Sequence, residues 1–218
     1  MKMIVINFKN YKEGKGVVKL AKEIRRYLPD AIVAVPAVSI SDVVRETKLS
    51  VYAQSVDAFE GKRGTGKITA LEVKKSGAVG TLLNHSENRM KMKDVKEAVK
   101  DCKRVGLKTL FFAGSLGEAR KLISLKPTAI AYEDAKLVGS GKSVTKYKMR
   151  QIEKFVKLIQ GRKIMALCGA GISSADDVMA AYRLGCSGVV IASAIANAKD
   201  PKRVLRQIAN INWKEFYY

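Results

Sequence analysis

Short, almost continuously apolar runs rich in β-branched residues alternate along this chain with longer runs whose apolar residues recur every three or four positions. The first kind predicts strands at Met3–Phe8, Ala31–Pro36, Ser50–Val56, Ala78–Asn84, Leu107–Ala113, Thr128–Glu133, Lys163–Gly169 and Ser187–Ala192. Near-continuous hydrophobic runs are what parallel strands covered on both faces require. The second kind predicts amphipathic helices. Val17, Leu20, Ile24 and Leu28 form one apolar face, Val95, Val99 and Cys102 a second, and Ile152, Phe155 and Ile159 a third. Ser173 or Ser174, ahead of Asp176 and Asp177, is a helix N-cap with favourable first-turn charge, and Asp200-Pro201 opens the last helix in a similar way.

The pattern amounts to eight strand–helix units in 218 residues, about 27 residues each. Alternating β and α elements with right-handed crossovers leave two architectures, a doubly wound sheet or a closed barrel. A doubly wound sheet more often has five or six units and carries GxGxxG after its first strand, which this chain lacks. Neither a linker nor a low-complexity tract interrupts the repeat. The expectation is therefore an α/β fold, with one (β/α)8 barrel domain spanning residues 1–218.

Composition narrows the setting without choosing a function. Forty-seven per cent hydrophobic residues suit a packed globular protein rather than a disordered one. Lys and Arg outnumber Asp and Glu by 41 to 20, a net charge of +21. Such a charge favours anions, whether nucleic acid, an anionic membrane or a phosphorylated metabolite. Three cysteines, Cys102, Cys168 and Cys186, are an odd number at no metal-binding spacing, so neither a disulfide framework nor a zinc site is expected. The first residues hold too short an apolar stretch for a secretion signal, and no run is long enough to span a membrane. These features predict a reduced, cytoplasmic protein. Any imidazole chemistry must pass through His85, the single histidine.

In a barrel of this kind the chemistry gathers at the C-terminal ends of the strands. There the sequence places Asn7-Phe8-Lys9, Asn84-His85-Ser86-Glu87, Tyr132-Glu133-Asp134, Gly169-Ala170-Gly171 and Ala192-Ser193-Ala194. The set offers an amide, an amine, an imidazole, a carboxylate and two small-residue turns. A glycine-rich turn leading into a helix exposes backbone N–H groups to a phosphate, and the loops after strands 7 and 8 are the usual phosphate cradle of the fold. Taken singly, each has a plain structural reading: a loop salt bridge for Glu133, a satisfied structural histidine for His85, a tight turn for Gly169–Gly171. Their falling together on one rim in one register is what points to function.

These residues resemble a known family. NFK near the N-terminus, GTLLNHSENRM (Gly80–Met90), the segment Tyr132–Val144 with LVGSGKSV, LCGAGIS (Leu167–Ser173) and VVIASAIANAKD (Val189–Asp200) are similar, in order along the whole chain, to triosephosphate isomerase, in its compact archaeal-type branch. The resemblance implies a TIM barrel that interconverts dihydroxyacetone phosphate and D-glyceraldehyde 3-phosphate in glycolysis and gluconeogenesis, with no cofactor and no metal. It implies Glu133 as the base moving a proton between C1 and C2, and His85 as the electrophile that polarises the carbonyl. Lys9 would supply positive charge, Asn7 would place the substrate oxygen, and Glu87 would support this network. A glutamate of raised basicity beside a neutral histidine is the known pattern of that family, and it comes here from the resemblance alone. Val138, Gly139 and Ser140 would belong to a lid closing over the phosphate, with Gly171, Ala192 and Ser193 holding its other oxygens. The loop Gly64-Thr65-Gly66 would reach into a partner subunit, giving a homodimer or homotetramer around Thr65. Neither nucleic acid nor membrane is an implied partner.

The chain departs from the family at the residue after Glu133, where Asp134 replaces the common proline, and two places further on, where Lys136 replaces an aromatic or acidic residue. A proline would pre-set the backbone there, and a second carboxylate beside Glu133 would raise its pKa. Phe111–Ser115 also lacks the usual cysteine. Two stretches approach a nucleotide-binding loop, but Gly61–Lys67 is followed by Ile68 where Ser or Thr must hold Mg²⁺, and the stretch ending in Ser143 begins with Lys136 where glycine belongs. The lysines of Lys91–Lys103 are interleaved with Asp94, Glu97 and Asp101, as on a solvated helix face. Another barrel isomerase or synthase acting on a phosphorylated sugar would share the last two loops, and a basic nucleic-acid-binding protein would share only the charge.

Overall fold

In the computed structural model, which describes residues 2–59, 61, 63–134, 137 and 143–216, all eight expected strands form. They are β1 (Met3–Asn7), β2 (Ile32–Val35), β3 (Ser50–Ala53), β4 (Gly80–Leu83), β5 (Lys108–Ala113), β6 (Ala129–Tyr132), β7 (Met165–Cys168) and β8 (Gly188–Ile191). Each pairs in parallel with the next, and β8 closes on β1 through Met3↔Gly188 to Ile6↔Ile191. Closure depends on a bare backbone at Gly188, where a Cβ would collide with the Met3 carbonyl. The helices are α1 (Lys15–Tyr27), α2 (Ile40–Thr47), α3 (Ala70–Lys75), α4 (Met92–Arg104), α5 (Leu116–Ile123), α6 (Val144–Tyr147), α7 (Met149–Ile159), α8 (Ala175–Arg183), α9 (Ser193–Ala196) and α10 (Pro201–Ala209).

The helices form where the apolar stripes fall. Val17, Leu20, Ala21 and Ile24 of α1 are buried, as are Val95, Val99 and Cys102 of α4 and Ile152, Phe155 and Ile159 of α7. Of the two candidate caps of α8, Ser174 is the one used: its hydroxyl accepts the Asp177 N–H. Asp200 caps α10 with Pro201 in the first turn. Some ends differ from the sequence reading. Leu28 lies beyond α1 and remains buried at its C-terminus. Strands β3 and β4 stop at Ala53 and Leu83, ahead of the polar Gln54 and Asn84, and Asn84 turns off at φ 59°.

Alternation along each strand makes two cores. Outward residues such as Ile6, Val33, Val51, Phe111, Ile130 and Val189 pack under the helices. Inward residues Met3, Val5, Ala34, Tyr52, Leu82, Leu110, Phe112, Ala129, Ala131, Leu167 and Val190 fill the barrel. This period of two carries straight to the rim. Two residues beyond Val5, Tyr52, Ala131, Leu167 and Val190 come Asn7, Gln54, Glu133, Gly169 and Ala192. Any polar residue at those positions faces the mouth of a filled barrel.

Candidate active site

The first rim loop is held in a sparsely populated conformation. Lys9 has φ 46°, and two side chains fix it there: the Asn7 amide oxygen accepts the Lys9 N–H at 3.0 Å, and Gln54 donates to the Lys9 carbonyl at 2.8 Å. Left-handed backbone outside glycine carries strain that its surroundings must offset. The result aims the Lys9 ammonium across the mouth, where it pairs with Glu87 at 2.5 Å.

After β4, the chain turns so that the Glu87 backbone N–H donates to His85 Nδ1 at 3.1 Å. Accepting at Nδ1 leaves the neutral imidazole proton on Nε2. The ring sits edge-on to Phe112, with centroids 4.6 Å apart. Nε2 stands 3.3 Å from Glu133 Oε2. Glu133, just past β6, has its backbone tied to the Ala113 carbonyl at 2.9 Å, and its Oε2 accepts the Ser86 hydroxyl at 3.1 Å.

Burial drives these two groups apart. It pushes Glu133 up to about 7, against the Ser86 hydrogen bond and the Lys9 and Arg89 charges, with Glu87 adding to the rise. It pushes His85 down to about 4, helped by Lys9 and Arg89 and opposed by Glu87. Removing a charge from water disfavours the charged form, which is the carboxylate for Glu and the imidazolium for His. Asp134, expected to raise the Glu133 pKa, is instead paired with Lys148 at 3.2 Å, and the carboxylate acting in that direction is Glu87.

The opposite side of the mouth is backbone. Ala170 and Gly171 both have positive φ, 68° and 69°, which turns the loop after β7 sharply before α8. Ala192 accepts from the Ile195 and Ala196 N–H groups and opens α9, leaving the first amides of that turn without helical partners. A cavity of about 190 Å³ is lined by Asn7, Lys9, His85, Glu133, Gly171, Ala192 and Ser193 together. A wider cleft of about 640 Å³ beside it is lined by Lys9, Gln54, His85 and Glu87.

Thus Asn7, Lys9, His85, Glu133, Gly171, Ala192 and Ser193 meet in one cavity, and Glu87 pairs with Lys9 from the adjoining cleft. Val138, Gly139, Ser140 and Lys136 lie outside the described residues. Thr65 is exposed on its loop. The sequence reading passed over Ser86 and Gln54 as functional residues. Gln54 was accessible through the period of two beyond Tyr52, whereas Ser86 had no such signal. Among the described residues, no group of three or more His, Cys, Asp or Glu could hold a metal ion, and no helix is long and apolar enough to cross a membrane.

A closed parallel barrel whose polar cluster and small-residue turns share the C-terminal rim defines a (β/α)8-barrel protein with a rim site for a small ligand. The profile of the family described as triosephosphate isomerase matches residues 2–212. Proteins named triosephosphate isomerase are similar over nearly the whole chain. That of Methanopyrus kandleri is 39% identical, covering 93% of this chain and 94% of its own. That of Methanocaldococcus jannaschii is 34% identical, covering 94% and 98%. The chain belongs to the triosephosphate isomerase family. The crystal structure of triosephosphate isomerase from Bartonella henselae shares the fold, with a TM-score of 0.72 at 20% identity over 95% of this chain and 97% of that one.

Proposed function

We propose that this protein, one barrel domain, interconverts dihydroxyacetone phosphate and D-glyceraldehyde 3-phosphate in glycolysis and gluconeogenesis. The observation that carries the reading is the placement of a buried carboxylate of raised pKa 3.3 Å from a neutral imidazole within one small cavity. Glu133 takes a proton from C1 of the ketose, and the C–H electron pair moves to form the C1–C2 double bond while the carbonyl oxygen gains charge. The His85 Nε2–H donates to that oxygen. His85 then recovers a proton from the C1 hydroxyl, and Glu133 returns its proton to C2. A base working near neutral pH and a donor aimed at the developing oxyanion are what this chemistry needs.

Lys9 adds positive charge beside the enediolate, and Asn7 places Lys9 and the substrate oxygen. Gly171, Ala192 and Ser193 hold the phosphate with backbone N–H groups, and Val138, Gly139 and Ser140 cover it and keep water out. The chain's excess of positive charge draws a phosphorylated anion towards the mouth. The protein works in the cytoplasm as a homodimer or homotetramer through the loop around Thr65.

The test is a coupled assay with glyceraldehyde 3-phosphate. Wild type turns over, and Glu133→Gln and His85→Gln each lose roughly 10²–10⁴-fold in kcat, the usual worth of a positioned acid or base. Near-normal turnover by Glu133→Gln would remove Glu133 from the role of base. No turnover by wild type would return the protein to the other phosphorylated-sugar barrels.

A further inference from the structure

Glu118 lies on α5, outside the barrel and away from the cavity, yet its carboxylate is the meeting point of the loop that carries His85. Oε1 accepts from the Asn84 amide at 2.7 Å and from Arg89 at 2.8 Å, while Oε2 accepts the Gly114 N–H at 2.7 Å. Asn84, at φ 59°, joins the two ends of the loop: its Oδ1 accepts the Met90 N–H and its carbonyl accepts from Arg89, both at 3.2 Å. Its amide also donates to the Phe112 carbonyl at 3.1 Å, on the strand beside it. Between these two tied ends sit His85 and Ser86, the groups that face Glu133.

A second contact brings the same cluster against the base. A Cβ at Gly114 would lie 3.1 Å from the Arg89 guanidinium, 3.6 Å from Glu118 Oε2 and 3.6 Å from the Glu133 carbonyl. The bare backbone at Gly114 therefore lets the clamp pass directly beside Glu133. Ser115 and Glu118 also have the spacing of a helix capping box, with the Ser115 hydroxyl accepting the Glu118 N–H at 3.1 Å. Capping alone would send the carboxylate back to the N-cap backbone. Here only Oε2 turns towards the helix start, on Gly114, and Oε1 is committed to the His85 loop.

We propose that Glu118 is a positioning residue that fixes loop 84–90 against α5, so that His85 and Ser86 keep their placement on Glu133. Its kinetic consequence rests on the isomerase reading above, but its geometric consequence does not. A charged acceptor shared by three donors is strong and directional, and removing it leaves the Asn84 and Arg89 groups to find other partners. A displacement of about 1 Å at a reacting group can cost about 100-fold in rate.

The experiment compares Glu118→Gln, Arg89→Gln and Ser115→Ala with wild type by kcat, KM, melting temperature and the ring ¹⁵N spectrum. His85 is the sole histidine, so its signals assign themselves. Glu118→Gln and Arg89→Gln are expected to lower kcat about 10- to 100-fold with KM within about twofold, and to shift the His85 ring signals. Ser115→Ala, which removes only the cap, is expected to lower the melting temperature and leave kcat and the ring signals unchanged. Arg89→Gln keeps the cap and Gly114 contacts, so it carries the test if Glu118→Gln fails to fold. Unchanged ring signals and kcat in a folded Glu118→Gln or Arg89→Gln, or an equal kcat loss in Ser115→Ala, would overturn the proposal. If wild type shows no isomerase activity, the functional reading falls, while the ring signals still decide whether Glu118 holds His85.

Discussion

His85 Nε2 and Glu133 Oε2 stand 3.3 Å apart without forming an ion pair at neutral pH. The burial that raises Glu133 to about 7 lowers His85 to about 4, so the imidazole is neutral wherever the carboxylate is ionised. A neutral ring can donate from Nε2 and still accept at Nδ1 from the Glu87 backbone. An imidazolium would be locked to the carboxylate and would compete with substrate for it.

The pH dependence follows from these directions. Activity is expected to rise as pH increases through about 7, when Glu133 loses its proton, and to show no limb near 6.5 from His85. A pH profile of kcat/KM checks both, and a limb near 6.5 that vanishes in His85→Gln would contradict the neutral imidazole. Stability carries the opposite sign. A folded pKa above the ordinary carboxylate value of about 4.5 means the Glu133 contribution is fully present below about 4.5 and lost as pH rises through about 7. Glu133→Gln is thus expected to melt higher than wild type at pH 8, with the gap closing at pH 5.

Among the described residues, Lys9 is the one ammonium lining the small cavity. Lys9→Met retains much of the stem but removes the charge and leaves Glu87 without its 2.5 Å partner. The expected loss in kcat/KM is roughly 10²–10³-fold, the scale for removing one preorganised donor from a developing oxyanion. Steady-state kinetics decide it, and a loss below tenfold would assign Lys9 to loop structure alone.

Gly169 is a packing constraint on Glu133 rather than a conformational one, since its φ is not positive. A Cβ there would meet Glu133 Oε1 at 3.3 Å and Glu133 Cβ at 3.7 Å. Gly169→Ala is expected to fold and to lose about tenfold in kcat as the carboxylate gives way by a few tenths of an ångström. Equal kcat values would mean the carboxylate moves without consequence.

Inside the barrel, the Tyr52 hydroxyl is buried with no hydrogen-bond partner among the described residues, and burial pushes its pKa up to about 12. An unsatisfied buried hydroxyl costs about 1–3 kcal/mol. Tyr52→Phe keeps the ring that packs over Gly80 and removes that cost. The expected result is equal or higher stability, by about 1 kcal/mol in denaturant unfolding, and a loss of that size would show the hydroxyl to be satisfied.

Much of the site was legible because strand ends can be read from strand patterns. Asn7, Glu133, Gly169 and Ala192 each follow an inward residue by two positions, and the order NFK, NHSE, YE and GAG runs along the chain with the strands. Ser86 was legible only as a rim residue within NHSE, and Gln54 and Glu118 not as site residues at all. Their roles depend on bonds across 47, 45 and 34 residues of sequence, to Glu133, Lys9 and Asn84. The placement of Asp134 was misread for the same reason, since adjacency in sequence suggested a neighbour of Glu133 and the fold gave it to Lys148.

By itself the sequence determined eight strand–helix units, a closed barrel, and the rim residues that carry the family's motifs. Periodicity is local, and a run of apolar residues fixes which way each side chain faces. Only the tertiary structure decided how Lys9 is aimed, which nitrogen of His85 holds the proton, and what pushes the pKa values of His85 and Glu133 apart. Those properties depend on desolvation and on partners brought together by barrel closure, and neither is a property of neighbouring residues in the chain.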